Sequence, residues 1–313
     1  MAGSPPGRAR RLARTCALAA VALLGTLLPA RPLDAQEGSR CAKPGFRRAA
    51  RVGAGAVFVG ANAGLYEYFR RAWWSGERAD EFRINWERDS PFRDMDKLGH
   101  ALGGYHLARA GTGLLENACV SERRAVLLGA AYAAAFQLQI ELWDATQEKY
   151  GFSPVDVVAN TAGTLYAVAQ RTQPPLRHVR PTVSYTPSPA YRNRAGFPPG
   201  TGGAEMRPSL DYSGQTYWMS ADVDALLPDA AKPYWPGILR LSVGHSITEF
   251  VAAETGGFYR ARRRMLVSLD LDPAKLPGDH PAWNFVKQQL SYYHFPSPAL
   301  QITPTARGIA WYR

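Results

Sequence analysis

The polar side chains between residues 96 and 160 have the types and the spacing to do chemistry. Asp96 and His100 stand four apart, Glu141 and Asp144 three apart, and Asp156 and Asn160 four apart. Residues three and four apart share one face of a helix, so each pair can present both groups the same way. Brought together, they would give His100 as a general base oriented by Asp96 or Asp156, with a second carboxylic acid as proton donor. The same set could instead hold a divalent metal, with His100, Glu141 and Asp144 as ligands. Carboxylates clustered in apolar surroundings raise one another's pKa, which brings such groups toward neutral pH.

Most of these residues also have a purely structural explanation. Asp96 in a first helical turn is favoured by the helix dipole. Ser153-Pro154-Val155-Asp156 reads as a capping pattern with Pro at the first helical position, which accounts for Asp156 by itself. Gln137, Glu141, Asp144 and Glu148 recur at helical spacing. Such a stripe is either a solvated face or the lining of a cleft, and the apolar turns before it favour the cleft. Asn160 is different: a mid-helix Asn among Val, Ala and Thr competes with its own backbone and needs a buried partner.

The elements that must position these groups are helices. The pattern predicts a first helix over 46–72, a second from about Asp94 to Asn117, a third from a Ser121 N-cap to about Tyr150, and a fourth opening at Ser153. Short connections favour antiparallel neighbours. At about 1.5 Å rise per residue, an up-down-up path would put Asp96, His100, Glu141, Asp144, Asp156 and Asn160 within two turns of one end. The first helix is dense in Gly and Ala between Val52 and Tyr66, a composition that lets helix backbones approach closely. Trp73 and Trp74, beside Arg70 and Arg71, read as an interfacial belt or an ordinary turn. Residues 75–93 are charged and irregular, with Trp86 the expected anchor.

Beyond Pro174-Pro175 the composition turns to Pro, Gly, Tyr and Arg. Val179–Tyr185 and Gln215–Met219 are short strand candidates. Ile238–Val243 and Met265–Leu271 alternate as antiparallel strands do, and 301–303 and 309–312 could add edges. The expected fold class is therefore α+β, a bundle of about four helices over 36–172 followed by a smaller antiparallel β-containing segment over 173–313.

The motifs Asp96-Lys97-Leu98-Gly99-His100, Glu141-Leu142-Trp143-Asp144 and Gly151 to Asp156 running on to Gly163 resemble a bacterial cell-envelope family, domain of unknown function 2279, described as predicted periplasmic lipoproteins. The likeness extends to Asp211–Ser220, Leu266–Asp272 and Phe295–Leu300. The helical motifs alone are also similar to VanZ-like membrane proteins. The resemblance implies an envelope location and supplies no known reaction. No lipobox accompanies it, because Cys16 follows Ala-Arg-Thr and Cys41 follows Gly-Ser-Arg.

Residues 1–35 read as an export signal: Arg8, Arg10, Arg11 and Arg14 precede an apolar run from Cys16 to Leu28, and Leu33-Asp34-Ala35 offers a cleavage site before Gln36. The run is short for a membrane span. The formal charge of +11 falls once those arginines are removed, and a modest positive excess suits anionic lipid or glycan. No nucleic-acid motif is present. Export leaves Cys41 and Cys119, either bridged or as two free thiols. The chain also lacks His-Glu-x-x-His, a phosphate loop, Gly-x-Ser-x-Gly and Cys-x-x-Cys. The expected function is that of an exported, non-catalytic, membrane-associated envelope protein with a buried polar network. The alternative is an envelope hydrolase or transferase acting on a lipid-linked or glycan substrate.

Overall fold

The structure is a computed structural model that describes residues 40–74, 76–86, 92–193, 208–250 and 260–312. The expected export signal lies outside them. Helices fill the N-terminal half: α1 (Pro44–Ala72), α2 (Met95–Asn117), α3 (Glu122–Asp144) and α4 (Pro154–Thr172). Six antiparallel strands follow in the order β1-β2-β3-β4-β5-β6, over Val179–Tyr185, Gln215–Asp222, Leu239–Ile247, Arg263–Leu271, Ser297–Thr303 and Arg307–Tyr312. A further helix, α5 (Pro281–Leu290), sits between β4 and β5. The architecture is α+β, as the change in hydrophobic period from helical to alternating requires.

The chain divides into two compact units, residues 1–84 with 104–152, and residues 85–103 with 153–313. The first unit holds α1, the later turns of α2, and α3. Gly129 fixes the α2–α3 crossing: a Cβ there would stand 2.6 Å from Thr112 N and Oγ1. The two backbones meet only because that side chain is missing. Cys41 and Cys119 form a disulfide with Cα atoms 5.7 Å apart, tying the start of α1 to the end of α2. Trp74 is buried rather than part of a surface belt. Its ring stacks on Trp143 with centroids 5.4 Å apart, and its indole N–H donates to Asp144 Oδ1 at 2.6 Å.

α3 ends at Asp144, short of the expected Tyr150. The cause is long-range. Residues 77–84 run alongside 146–152, with Ala79 N–H donating to Thr146 O, Glu148 N–H to Glu77 O and Phe152 N–H to Arg83 O. The Asp144 carbonyl accepts from both Gln147 and Gly151, and Gly151 takes a φ of +101° that suits glycine. Trp86, the expected anchor of this stretch, is more than half exposed. Within the first unit α3 is long and apolar enough to cross a membrane.

The second unit holds the first turns of α2, α4, the sheet and α5. Ser153 caps α4 by accepting from Asp156 N–H at 3.2 Å, with Pro154 at the first helical position. Gly163 sets the crossing of α4 with α2, since a Cβ on it would lie 1.8 Å from Ala101 O. A small apolar core of Met95, Ala190, Ile247, Phe250 and Ala261 joins the start of α2 to one end of the sheet. Trp218, Leu266 and Ala299 form another core on the sheet, with Ile309 and Tyr312 packed against it.

Candidate functional site

Of the residues singled out by spacing, Asp96, His100, Asp156 and Asn160 meet in the second unit, where the first turns of α2 cross α4. The capped start of α4 aims the Asp156 carboxylate at α2, and the Gly163 contact one turn beyond Asn160 fixes the register. His100 Nδ1 lies 3.0 Å from Asn160 Oδ1. A carbonyl oxygen only accepts, so Nδ1 carries the proton and donates it to Asn160. Nε2 faces Asp156 Oδ2 at 3.7 Å. Asn160 is 4 % exposed, and this bond is the buried partner that a mid-helix Asn requires.

Lys97 completes the cluster. Its ammonium lies 2.8 Å from Asp96 Oδ2 and 2.7 Å from Asp156 Oδ1, with the lysine side chain 11 % exposed. Burial alone would lower its pKa. The charges of Asp96 and Asp156 and their hydrogen bonds outweigh that, and hold the ammonium above the usual lysine range. Tyr217 of β2 closes one side: its hydroxyl donates to Gln215 Oε1 at 2.8 Å and backs on Gly99, where a Cβ would stand 3.1 Å away. Burial, and then the Asp96 charge, push its pKa upward, so the phenol stays neutral.

Spacing rules missed Lys97 and Tyr217. Lys97 is adjacent to Asp96, and neighbours one apart do not share a helix face. Its signal was its place inside the Asp96–His100 motif. Tyr217 lies in the Asp211–Ser220 signature, and only the fold carries it to Gly99.

Glu141 and Asp144 belong to the first unit. Glu141 is 1 % exposed, and Gln137 one turn earlier is also buried. Asp144, at the end of α3, accepts the Trp74 indole N–H. Glu148 lies beyond the helix and is exposed. The stripe is thus buried in its first part and solvated at its last member.

An α+β chain with a buried polar junction between small-residue helices is the class this geometry defines. Residues 86–172 match the family model described as "Predicted periplasmic lipoprotein (DUF2279)". The matched stretch contains every polar residue of the junction except Tyr217 and Gln215. The description agrees with an exported protein of the cell envelope, periplasmic or outer-membrane-associated. No curated protein and no solved structure matches the chain.

Proposed function

We propose that this is a non-catalytic, membrane-associated protein of the cell envelope, whose Asp96–Lys97–His100–Asp156–Asn160 network holds α2 and α4 in register. The observation that carries this reading is Lys97. One buried ammonium engages both Asp96 and Asp156, so the chain supplies its own counter-charge to the two carboxylates, as a structural network does. A buried polar network whose members satisfy one another specifies a unique helix pairing. Membrane association is supported by the apolar side chains that the helices leave in the open: Val52 and Val59 on α1, Leu127 and Leu128 on α3, Val158 and Leu165 on α4, each more than half exposed. A folded surface seldom keeps so many without a partner. The partner of this reading is the membrane surface or an envelope lipid or glycan.

Two measurements test it. The purified protein should carry no stoichiometric divalent metal, the ion that His100, Glu141 and Asp144 would hold in the alternative. It should also sediment with membranes after a high-salt wash. A bound metal, or release of all protein by salt, would overturn the reading. One observation favours a second reading, an acid–base hydrolase or transferase of envelope substrates: the His100 side chain is 27 % exposed, so its ring can be reached. His100→Ala would then abolish an activity while the fold stays cooperative. In the non-catalytic reading the same change lowers the melting temperature and removes no activity.

A further inference from the structure

The buried face of the sheet is rich in polar side chains, and its opposite face is largely aliphatic. Along β1 to β5 the residues facing inward include the polar Thr182, Ser184, Ser220, Arg240, Ser242, Ser268, Asp270 and Gln301 beside the apolar Trp218, Leu266 and Ala299, all buried. Those facing outward include Met219, Leu241, Val243, Leu269, Leu300 and Ile302, between 37 % and 51 % exposed. A half-solvated antiparallel sheet ordinarily does the reverse, with its apolar face on the core and its polar face in water.

Most of the inner polar groups find partners within the protein. Thr182 Oγ1 and Ser220 Oγ are 2.8 Å apart, and Ser220 and Ser242 Oγ atoms 2.7 Å. Ser246 donates to Gln215 O at 2.8 Å and Ser268 to Pro298 O at 3.0 Å. Arg240 pairs with Asp270 and donates to Ser291 O at 2.8 Å. Turning most polar side chains inward and leaving aliphatic ones outside suits a sheet whose outer face meets an apolar medium.

The ends of the sheet are consistent with a lipid medium. Arg260, Arg262 and Arg307 are exposed where β4 and β6 begin, and Arg263 there pairs with Asp94. At the opposite end stand Trp311 and Trp283, 60 % and 37 % exposed. Basic groups meet anionic headgroups, and tryptophan favours the headgroup level. Among the described residues β6 ends the sheet without a neighbouring strand. An unpaired edge cannot enter hydrocarbon, so the face lies in the interface rather than across the bilayer.

We propose that the outer face of this sheet is a seat for an anionic lipid bilayer, with Leu241, Val243, Leu269 and Leu300 entering the headgroup–acyl boundary and the Arg260–Arg262–Arg307 end meeting lipid phosphates. This rests on the membrane association proposed above and assigns it a surface. Leu241 and Leu269 are direct cross-strand partners, so replacing both removes the centre of the patch without touching the buried network.

The experiment uses the full exported chain and vesicles of phosphatidylglycerol or phosphatidylcholine carrying a photoreactive acyl chain. Crosslinked residues are mapped by mass spectrometry. The seat predicts labelling at outward positions of β3, β4 and β5, and preference for phosphatidylglycerol. It also predicts about a tenfold or greater loss of vesicle affinity in Leu241→Ser/Leu269→Ser, from the apolar area withdrawn. Leu127→Ser/Leu138→Ser on α3 is the comparison, with equal melting temperatures showing both variants folded. Vesicle binding unchanged in Leu241→Ser/Leu269→Ser, with label confined to the helices, overturns the seat and leaves membrane association standing. A dimer that this variant dissociates, with no lipid label on the sheet, assigns the face to a second copy and overturns the seat. Failure of the unaltered protein to bind either vesicle overturns membrane association itself.

Discussion

Lys97 on α2 and Asp156 on α4 form an ion pair across two helices at 2.7 Å, and the same ammonium reaches Asp96 on its own helix at 2.8 Å. One cation therefore answers two carboxylates that would otherwise be buried like charges. Removing it leaves Asp156, with a side chain 7 % exposed, facing Asp96 without compensation. Lys97→Met should destabilise the protein by about 3–5 kcal/mol, the range for orphaning a buried charge. Adding Asp156→Asn to that variant should recover part of the loss, since the orphaned charge goes with it. Urea denaturation of the three proteins measures both effects.

The pair also sets a pH dependence. A base whose folded pKa is raised contributes stability in full below its unfolded value, and loses it as pH climbs toward the folded one. The Lys97 pKa is raised in the fold. Its contribution should thus be complete below about pH 10, near the ordinary lysine value, and fade above that. The gap in unfolding free energy between wild type and Lys97→Met should be constant from neutral pH to about pH 9 and narrow in more alkaline buffer. Buried Tyr217, with its pKa pushed up by burial, steepens the alkaline loss in both proteins alike and leaves the gap to report on Lys97.

Close helix contact makes a second prediction. Gly163→Ala would force its methyl to within 1.8 Å of Ala101 O, so α2 and α4 must part. That separation pulls His100 from Asn160 and Lys97 from Asp156 together. The loss should exceed the usual 1–3 kcal/mol or so of an overpacked core. Gly53 on α1 meets nothing within 4 Å, and Gly53→Ala should instead stabilise by roughly 0.5–1 kcal/mol through helix propensity. Thermal melts of the two variants should move in opposite directions.

The disulfide supplies a third. Cys41 and Cys119 are 78 residues apart in sequence, and closing a loop of that length stabilises by about 4 kcal/mol in the chain-entropy account. Reduction, or Cys41→Ser/Cys119→Ser, should lower unfolding free energy by about that amount. The loss should appear in the first unit's amide-exchange protection first, because α1, α2 and α3 meet there.

What the sequence made legible follows from which signals are local. The Ser153 cap and Pro154 fixed the start of α4, and the alternation in Ile238–Val243 and Met265–Leu271 marked β3 and β4. The end of α3 was not legible, because its terminator is a segment about seventy residues earlier that captures 146–152. Trp74 escaped for the same reason: its partners Trp143 and Asp144 are distant in sequence. Helical spacing grouped Asp96, His100, Asp156 and Asn160 correctly, yet it could not pair Lys97 with a carboxylate on another helix. Alternation in β3 and β4 showed a strand but not which face would be buried. Period two has no sign, and only the fold reveals that serine and arginine turn inward.

Arg240 gives the most demanding test of that inward face. Its side chain is 2 % exposed, stands directly across from Asp270, and donates to the carbonyls of Ser291, Leu271 and Tyr293. Arg240→Met would leave a buried carboxylate and these carbonyls unanswered, for a loss of about 3–5 kcal/mol near neutral pH. Burial already lifts the Asp270 pKa above the ordinary aspartate value, against the pull of Arg240. Without the arginine the pKa must rise further, so the variant's Asp270 takes up a proton as pH falls. The deficit of Arg240→Met relative to wild type should therefore shrink between about pH 8 and pH 5, where neutralising the carboxyl becomes easy. Asp270→Asn in the same background should reproduce the low-pH stability at every pH, because it removes the charge while keeping an acceptor for the Phe295 N–H at 2.9 Å. A pH-independent deficit in Arg240→Met would mean that lost packing of the guanidinium, rather than the stranded charge, sets the cost.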